Sequence, residues 1–329
     1  MVFDGHSDLF YDVTRRRLAG ETHVLERRHR DRLRQGGIEG LVLALWYGRG
    51  DGGHTFWEEV PGREEESRRL EIMLSCAQAE LAECPWLEVV STAQEAEAAR
   101  EAGRLYAFLA IEGMAGLGNR PEEIDRLADW GLRLGMLTWN EENQFAAGAA
   151  QDPGKGLTPL GRQALRRMED RNILPDLSHL NETSFWQALD QIRGPAVASH
   201  SNCHALCPHP RNLTDEQLRA IRDTGGVVGL NAYNGFVHQD PDKRTVRTLA
   251  LHAAHMAEVM GVEHVACGFD FCGFMGSPGN DAIPGLEDWE EVPGFFACLE
   301  DLGMNLAERE AIARGNFLRV LGGTAKSKD

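Results

Sequence analysis

Eight short β-prone runs recur along the chain, and segments with helical patterning separate them. The runs are MVFDGHSDL (residues 1–9), GLVLALW (40–46), LYAFLAIEG (105–113), LGMLTWN (134–140), NILPDLSH (172–179), PAVASHS (195–201), GGVVGLNAY (225–233) and EHVACGFDF (263–271). Between them lie TAQEAEAAREAG, begun by Thr92 as N-cap, PEEIDRLADWG, with Pro121 at its first turn and Gly131 behind it, and TDEQLRAIRDTGG. Strands that keep exchanging places with helices predict βα units and a parallel sheet. Eight such units predict a closed (β/α)8 TIM barrel rather than an open doubly wound sheet. A ninth run, WLEVV (86–90), reads as a helix-to-strand connector. No repeat or linker interrupts the pattern, so one domain is expected over residues 1–329, with a disordered tail from about residue 322.

Composition narrows the partners. The formal charge of −17 repels phosphate backbones and anionic lipid, so neither nucleic acid nor a membrane surface is expected. No apolar stretch is long enough to span a bilayer and the N-terminus lacks a signal-peptide pattern, so the chain reads as cytoplasmic. Seven scattered cysteines fit reduced thiols rather than a disulfide framework.

In a barrel of this kind the C-terminal ends of the strands converge on one mouth. There the first run delivers His6 and Asp8, two residues apart and hence on one face of a strand. The third delivers Glu112, the fifth His179, the sixth His200 and the eighth Asp270. Three carboxylates crowded together raise one another's pKa, a cost that divalent cations remove. Two Zn²⁺ ions with one bridging hydroxide would balance them to neutrality. Nitrogen and oxygen donors suit zinc and leave Mn²⁺ or Co²⁺ open. Glu112, on a middle strand, is the natural bridge for metals about 3.5 to 4 Å apart.

Other segments read as bland. CHALCPH (203–209) has neither finger spacing nor a second Cys/His pair, so a structural zinc site is not expected. HAAHMAE places His252 and His255 one turn apart on what reads as a solvated helix face, and GREEESRRLE (62–71) reads as an exposed helix laced with ion pairs. The glycine-rich loop NEENQFAAGAAQDPGKGLTPLG (140–161) reads as a mobile segment near a binding face.

The segments DGHSDLFYD, AIEGM, LTWNEENQFAAG, DLSH, SHSNCHALCPHPRNLTD, GFDF and GLEDWEEVPGFFACLEDLGMNLAEREAIARGNFLRVL, in this order from about residue 2 to 321, resemble the membrane dipeptidase family of zinc peptidases. The resemblance implies an amidohydrolase-type TIM barrel with a binuclear zinc centre and a possible homodimer. It implies that His6 and Asp8 bind one metal and His179 and His200 the other, that Glu112 bridges, and that Asp270, beside the first metal, shuttles the proton. It further implies that Arg211 holds the terminal carboxylate of a small peptide substrate, cleaved by a metal-bridging hydroxide, with a D-residue at the C-terminal position a possible substrate feature. Two positions depart from the pattern. Trp139, followed by Asn140, stands where mammalian relatives carry a substrate-contacting His, and Cys272 replaces an aspartate in GFDFCG. The alternatives are another amide hydrolase on the same scaffold, such as one acting on N-acyl-D-amino acids, or a non-catalytic metal-binding barrel.

Overall fold

The computed structural model describes residues 1–48, 56–62, 65–275 and 281–322. Nine strands form one parallel sheet: β1 (Val2–Ser7), β2 (Ile38–Leu45), β3 (Leu87–Val89), β4 (Leu105–Glu112), β5 (Leu132–Met136), β6 (Leu174–Asp176), β7 (Val197–Ala198), β8 (Val227–Leu230) and β9 (Val265–Cys267). Eight of them pair in the order β1-β2-β4-β5-β6-β7-β8-β9, which curls into a nearly closed barrel with helices outside. The expected TIM barrel is therefore the observed one. WLEVV is not a connector: its residues 87–89 pair with β4 as β3, off the barrel path. A run this short can add to a free flank of a neighbouring strand start without entering the closed circuit, which periodicity alone does not reveal.

The strands are apolar on both faces, as in sheets covered by helices. Every residue of β2, IEGLVLAL, is buried. Residues that alternate along β4 show how the two faces divide. Tyr106, Phe108 and Ala110 join Phe3, Val42, Leu134, Leu174, Val197, Val227 and Ala266 in a compact cluster inside the barrel. Phe3 stacks on Tyr106 at 5.9 Å, and Phe317 of the helix Asn316–Gly322 packs on Phe3 at 5.4 Å, plugging the end opposite the mouth. Gly40 makes room for this layer, since a Cβ there would lie 2.1 Å from the Tyr106 ring.

Helix ends follow the sequence signals. Thr92 accepts from Glu95 N, Thr214 forms a capping box with Gln217, and Gly131 ends Glu123–Trp130 in the left-handed conformation. Three surface expectations fail in whole or in part, although Glu65, Ser67, Arg68 and Glu71 of GREEESRRLE are exposed and Glu66 pairs with Arg69 as expected. His252, on the helix Val246–Met260, is fully buried, accepting from Cys203 N at 3.0 Å and facing Val237 O at 2.8 Å. Arg69, on Glu66–Ala82, is 3% exposed and donates to Tyr47 O; residues 63 and 64 of that segment lie outside the described residues. The 140–161 loop is tied down: Asn143 Nδ2 donates to Leu137 O, Gln144 Nε2 bonds three carbonyls, Ala149 N bonds His179 O, and Phe145 is buried. The expected tail beyond residue 322 lies outside the described residues. Among those described, no helix is long and apolar enough to cross a membrane.

Candidate metal centre

Glu112 is the last residue of β4 and continues the inward face of Tyr106, Phe108 and Ala110, so strand alternation aims it into the mouth. His179 follows β6, His200 follows β7 and Asp270 follows β9. His6 and Asp8 also meet there, but not as strand neighbours. The β1–β2 register slips between Asp4 and Ser7, and Asp8 lies past the strand as N-cap of Leu9–Leu18, where its side chain caps nothing. That freedom leaves its carboxylate beside His6, with Oδ1 3.5 Å from Nε2.

The six groups converge. His6 Nε2 lies 3.3 Å from Glu112 Oε2 and 3.9 Å from Asp270 Oδ1. Glu112 Oε1 lies 2.7 Å from His179 Nε2 and 3.7 Å from His200 Nε2, and those two nitrogens are 2.8 Å apart. The site is buried, Asp270 being the most open at 17% side-chain exposure. Two left-handed residues sit here, His179 at φ 69° and Asp270 at φ 58°. Non-glycine residues pay for that conformation and keep it only where their surroundings enforce it.

These donors fit metal ions. Both ring nitrogens of His6, Asp8 Oδ1 and Glu112 Oε2 are buried without a hydrogen-bond partner, although they crowd one another. His179 Nδ1 faces Asn140 Oδ1 at 2.9 Å, an oxygen that can only accept, so Nδ1 carries the proton and Nε2 turns its lone pair inward. Ser199 Oγ meets His200 Nδ1 at 2.7 Å. The triads His6, Glu112, His200 and His6, Asp8, Asp270 each bring donor atoms within 4.8 Å of one another, and among the described residues no other group does so. CHALCPH accordingly forms no such group.

The charges are mutually strained. Burial, reinforced by Asp8, holds the Glu112 carboxyl well above the usual carboxylate range, and burial pushes Asp270 up to about 6. Burial also works against the His6 cation, yet Glu112 and Asp8 outweigh it and raise the imidazole. Burial lowers His179 and His200, with Arg211 and His6 adding to it.

Arg211 is 4% exposed and reaches this group from the loop after β7. Its Nη2 donates to His200 O at 3.2 Å, Nη1 reaches Ser201 Oγ at 3.4 Å, and its guanidinium lies 5.4 Å from the Phe236 ring centre. No carboxylate among the described residues pairs with it, and Nε has no partner. On the other side of Glu112 a cleft of about 210 Å³ is walled by Trp46, Tyr47, Gly113 and Trp139. Trp139 stands between Trp46 and His179, at centroid distances of 5.5 and 6.0 Å. Cys272 Sγ lies 3.2 Å from Asp270 O. Sequence reasoning missed Asn231, which donates to Asp270 Oδ2 at 3.0 Å, and Phe236 beneath Arg211. Asn231 follows β8 directly, so the strand-end rule would have found it had amides been counted with titratable groups.

The family model for membrane dipeptidases, peptidase family M19, matches residues 1–329. The chain belongs to the membrane dipeptidase family. That family is one of metallo-dipeptidases, hydrolases of the peptide bond. Among similar proteins is an uncharacterized protein in the pqqA 5′ region of Klebsiella pneumoniae, 35% identical over 71% of this chain and 88% of its own length. An uncharacterized dipeptidase of Schizosaccharomyces pombe is 36% identical over 65% of this chain, and the match spans 52% of the yeast protein, about half its length. Among solved structures, a Rhodobacter sphaeroides metallo peptidase liganded with a phosphinate mimic of the dipeptide L-Ala-D-Ala superposes with a TM-score of 0.84 at 25% identity, covering 98% of this dipeptidase-family chain and 99% of its own.

Proposed function

We propose that this chain is a zinc-dependent dipeptidase whose metal pair is held by His6, Asp8 and Asp270 on one side and His179 and His200 on the other, with Glu112 between. The observation that carries the substrate assignment is the buried guanidinium of Arg211, which has no carboxylate partner. A buried charge is kept without its counterpart where a ligand supplies that counterpart. A peptide's terminal carboxylate matches the two parallel donors of a guanidinium, fixing orientation as well as charge.

Bound by these donors, the ions would supply Lewis acidity and a water acidic enough to attack at neutral pH. Asp270, the most open of the six, takes the proton from the attacking water and returns it to the leaving amine. Asn231 fixes Oδ2 of Asp270 and so aims Oδ1 toward the reaction. Asn140 holds the His179 ring, and Trp139 forms a wall of the cleft beside Glu112. The Rhodobacter sphaeroides relative's bound mimic of L-Ala-D-Ala supports a D-residue at the C-terminal position.

The test is a library of L,L and L,D dipeptides with N-acylated counterparts, assayed with zinc and after chelation. Hydrolysis of free dipeptides that chelation abolishes and zinc restores is expected. Cleavage confined to the N-acylated compounds would replace this reading with that of an acyl-amino-acid hydrolase.

A further inference from the structure

Two carboxylates buried below the mouth take part in none of the chemistry above. Asp176 ends β6 at 2% exposure, and its Oδ1 accepts from Ser178 N at 3.0 Å and Ser199 N at 3.1 Å. Asp4, on β1 and fully buried, accepts at Oδ1 from Phe269 N at 2.9 Å and His6 N at 3.4 Å, and at Oδ2 from Trp289 Nε1 at 2.8 Å. The same device thus occurs twice. Ser178, Ser199 and Phe269 are the residues directly before His179, His200 and Asp270, and the fourth amide is that of His6 itself.

Each aspartate therefore ties its own strand to a neighbouring one. Asp176 joins β6 to β7, where the backbone pairing is a single registered position. Asp4 joins β1 to β9, the two strands at which the path of paired strands begins and ends. The left-handed residues His179 and Asp270 each follow one of these anchored amides. Such backbone needs surroundings that over-determine it, and a buried carboxylate accepting the preceding N–H does so.

We infer that Asp4 and Asp176 are positioning residues that pre-form the centre as two halves: Asp176 sets His179 and His200, and Asp4 sets His6 and Asp270. The inference rests on the ligand assignment proposed above. What matters under it is the placement of acceptor atoms rather than the charge, and the two sites then respond differently to the same substitution. At Asp176 one oxygen accepts both bonds while Oδ2 has no partner, so an asparagine can keep both. At Asp4 both oxygens accept, so an asparagine must turn its amide group toward an N–H donor.

The experiment is competition for Zn²⁺ against a chromogenic chelator, using the full chain as parent, Asp176→Asn, Asp176→Ala and Asp4→Asn. Circular dichroism and thermal melts of the metal-free forms establish that each is folded. Zinc affinity within about twofold of parent is expected for Asp176→Asn, against a loss of about 10- to 100-fold for Asp4→Asn and Asp176→Ala, the range for groups that orient metal ligands. For the last two, kcat should fall with the affinity while KM moves less. Loss of affinity in Asp176→Asn equal to that in Asp176→Ala overturns the inference in favour of a charge effect, and an unchanged Asp4→Asn overturns it by showing that the acceptor atoms at that site do not set the ligands. The Asn pair decides the matter even if Asp176→Ala does not fold. A parent that binds no zinc overturns the functional reading itself, and with it the ligands to be positioned.

Discussion

An arginine buried to 4% without a carboxylate costs the folded protein solvation that hydrogen bonds to a carbonyl and a hydroxyl only partly return. Replacing Arg211 with Met should therefore act in opposite directions on stability and catalysis. The thermal midpoint is expected to rise by a few degrees, because a buried charge that only more distant carboxylates, Asp270 first among them, compensate is removed. KM for dipeptides should rise about 10- to 100-fold, corresponding to about 1.5–3 kcal/mol for charge-assisted bonds, with kcat changed far less. A melt and steady-state kinetics on one preparation check both; an unchanged KM refutes the carboxylate role. For Asp270→Asn, kcat should drop by about 10²- to 10⁴-fold, the range for general acid–base groups, with metal content judged separately by elemental analysis. A full rate with metals retained removes Asp270 from proton transfer. At this scale the six convergent groups were legible because they recur together at successive strand ends; a lone acid there, such as Asp176, can be structural. Asn231 and Phe236 were not, since their meaning lies in contacts with Asp270 and Arg211, tens of residues away in the chain.

At the scale of elements, His252 is the instructive misreading. Its spacing from His255 is that of an exposed helix face, yet its ring bridges Cys203 N and Val237 O with no exposure. Periodicity cannot distinguish an outer helix face from one covered by a long loop, and here the loop carrying Cys203 does the covering. Burial holds this imidazole down at about 4. Between about pH 6.5 and 4 the unfolded chain therefore binds a proton that the folded one refuses. The neutral ring's contribution is complete above pH 6.5 and is lost as pH falls through that window, to about 3 kcal/mol. Urea unfolding of the metal-free protein should show that acid-side slope, reduced in His252→Gln; equal slopes in parent and variant refute it. The same limit explains β3 and the 140–161 loop. A three-residue strand and a loop fastened by Asn143 and Gln144 side chains are decided by tertiary partners, whereas the capped helices and the long strands were legible from local chemistry.

Across the whole molecule the two ends of the barrel divide the work. The mouth concentrates the unpartnered histidine and carboxylate atoms, while the opposite end is closed by an ion pair and a hydrogen bond around Glu39. Glu39, 2% exposed at the start of β2, accepts from Tyr106 OH at 2.9 Å and pairs with Arg314 Nε at 2.6 Å. Arg314→Met strands that carboxylate and should destabilise the fold by about 2 kcal/mol, below the usual cost of a broken buried pair because Arg314 is about a third exposed. Dipeptide kinetics at 25 °C should be unchanged, as conservation of function at the mouth does not depend on the far end. A large fall in kcat at full folding would contradict that separation.

The bond from Arg211 to the main-chain oxygen of His200 has one further consequence. Under the proposed function, the group that grips the end of the substrate is anchored on the backbone of a residue that grips the metal. Anchor and blade cannot drift apart, so their spacing works as a gauge: a chain with one residue beyond the scissile bond fits it, and a longer peptide overshoots. Strictness about length would then come from one short main-chain contact, whatever the loops above select in side chains.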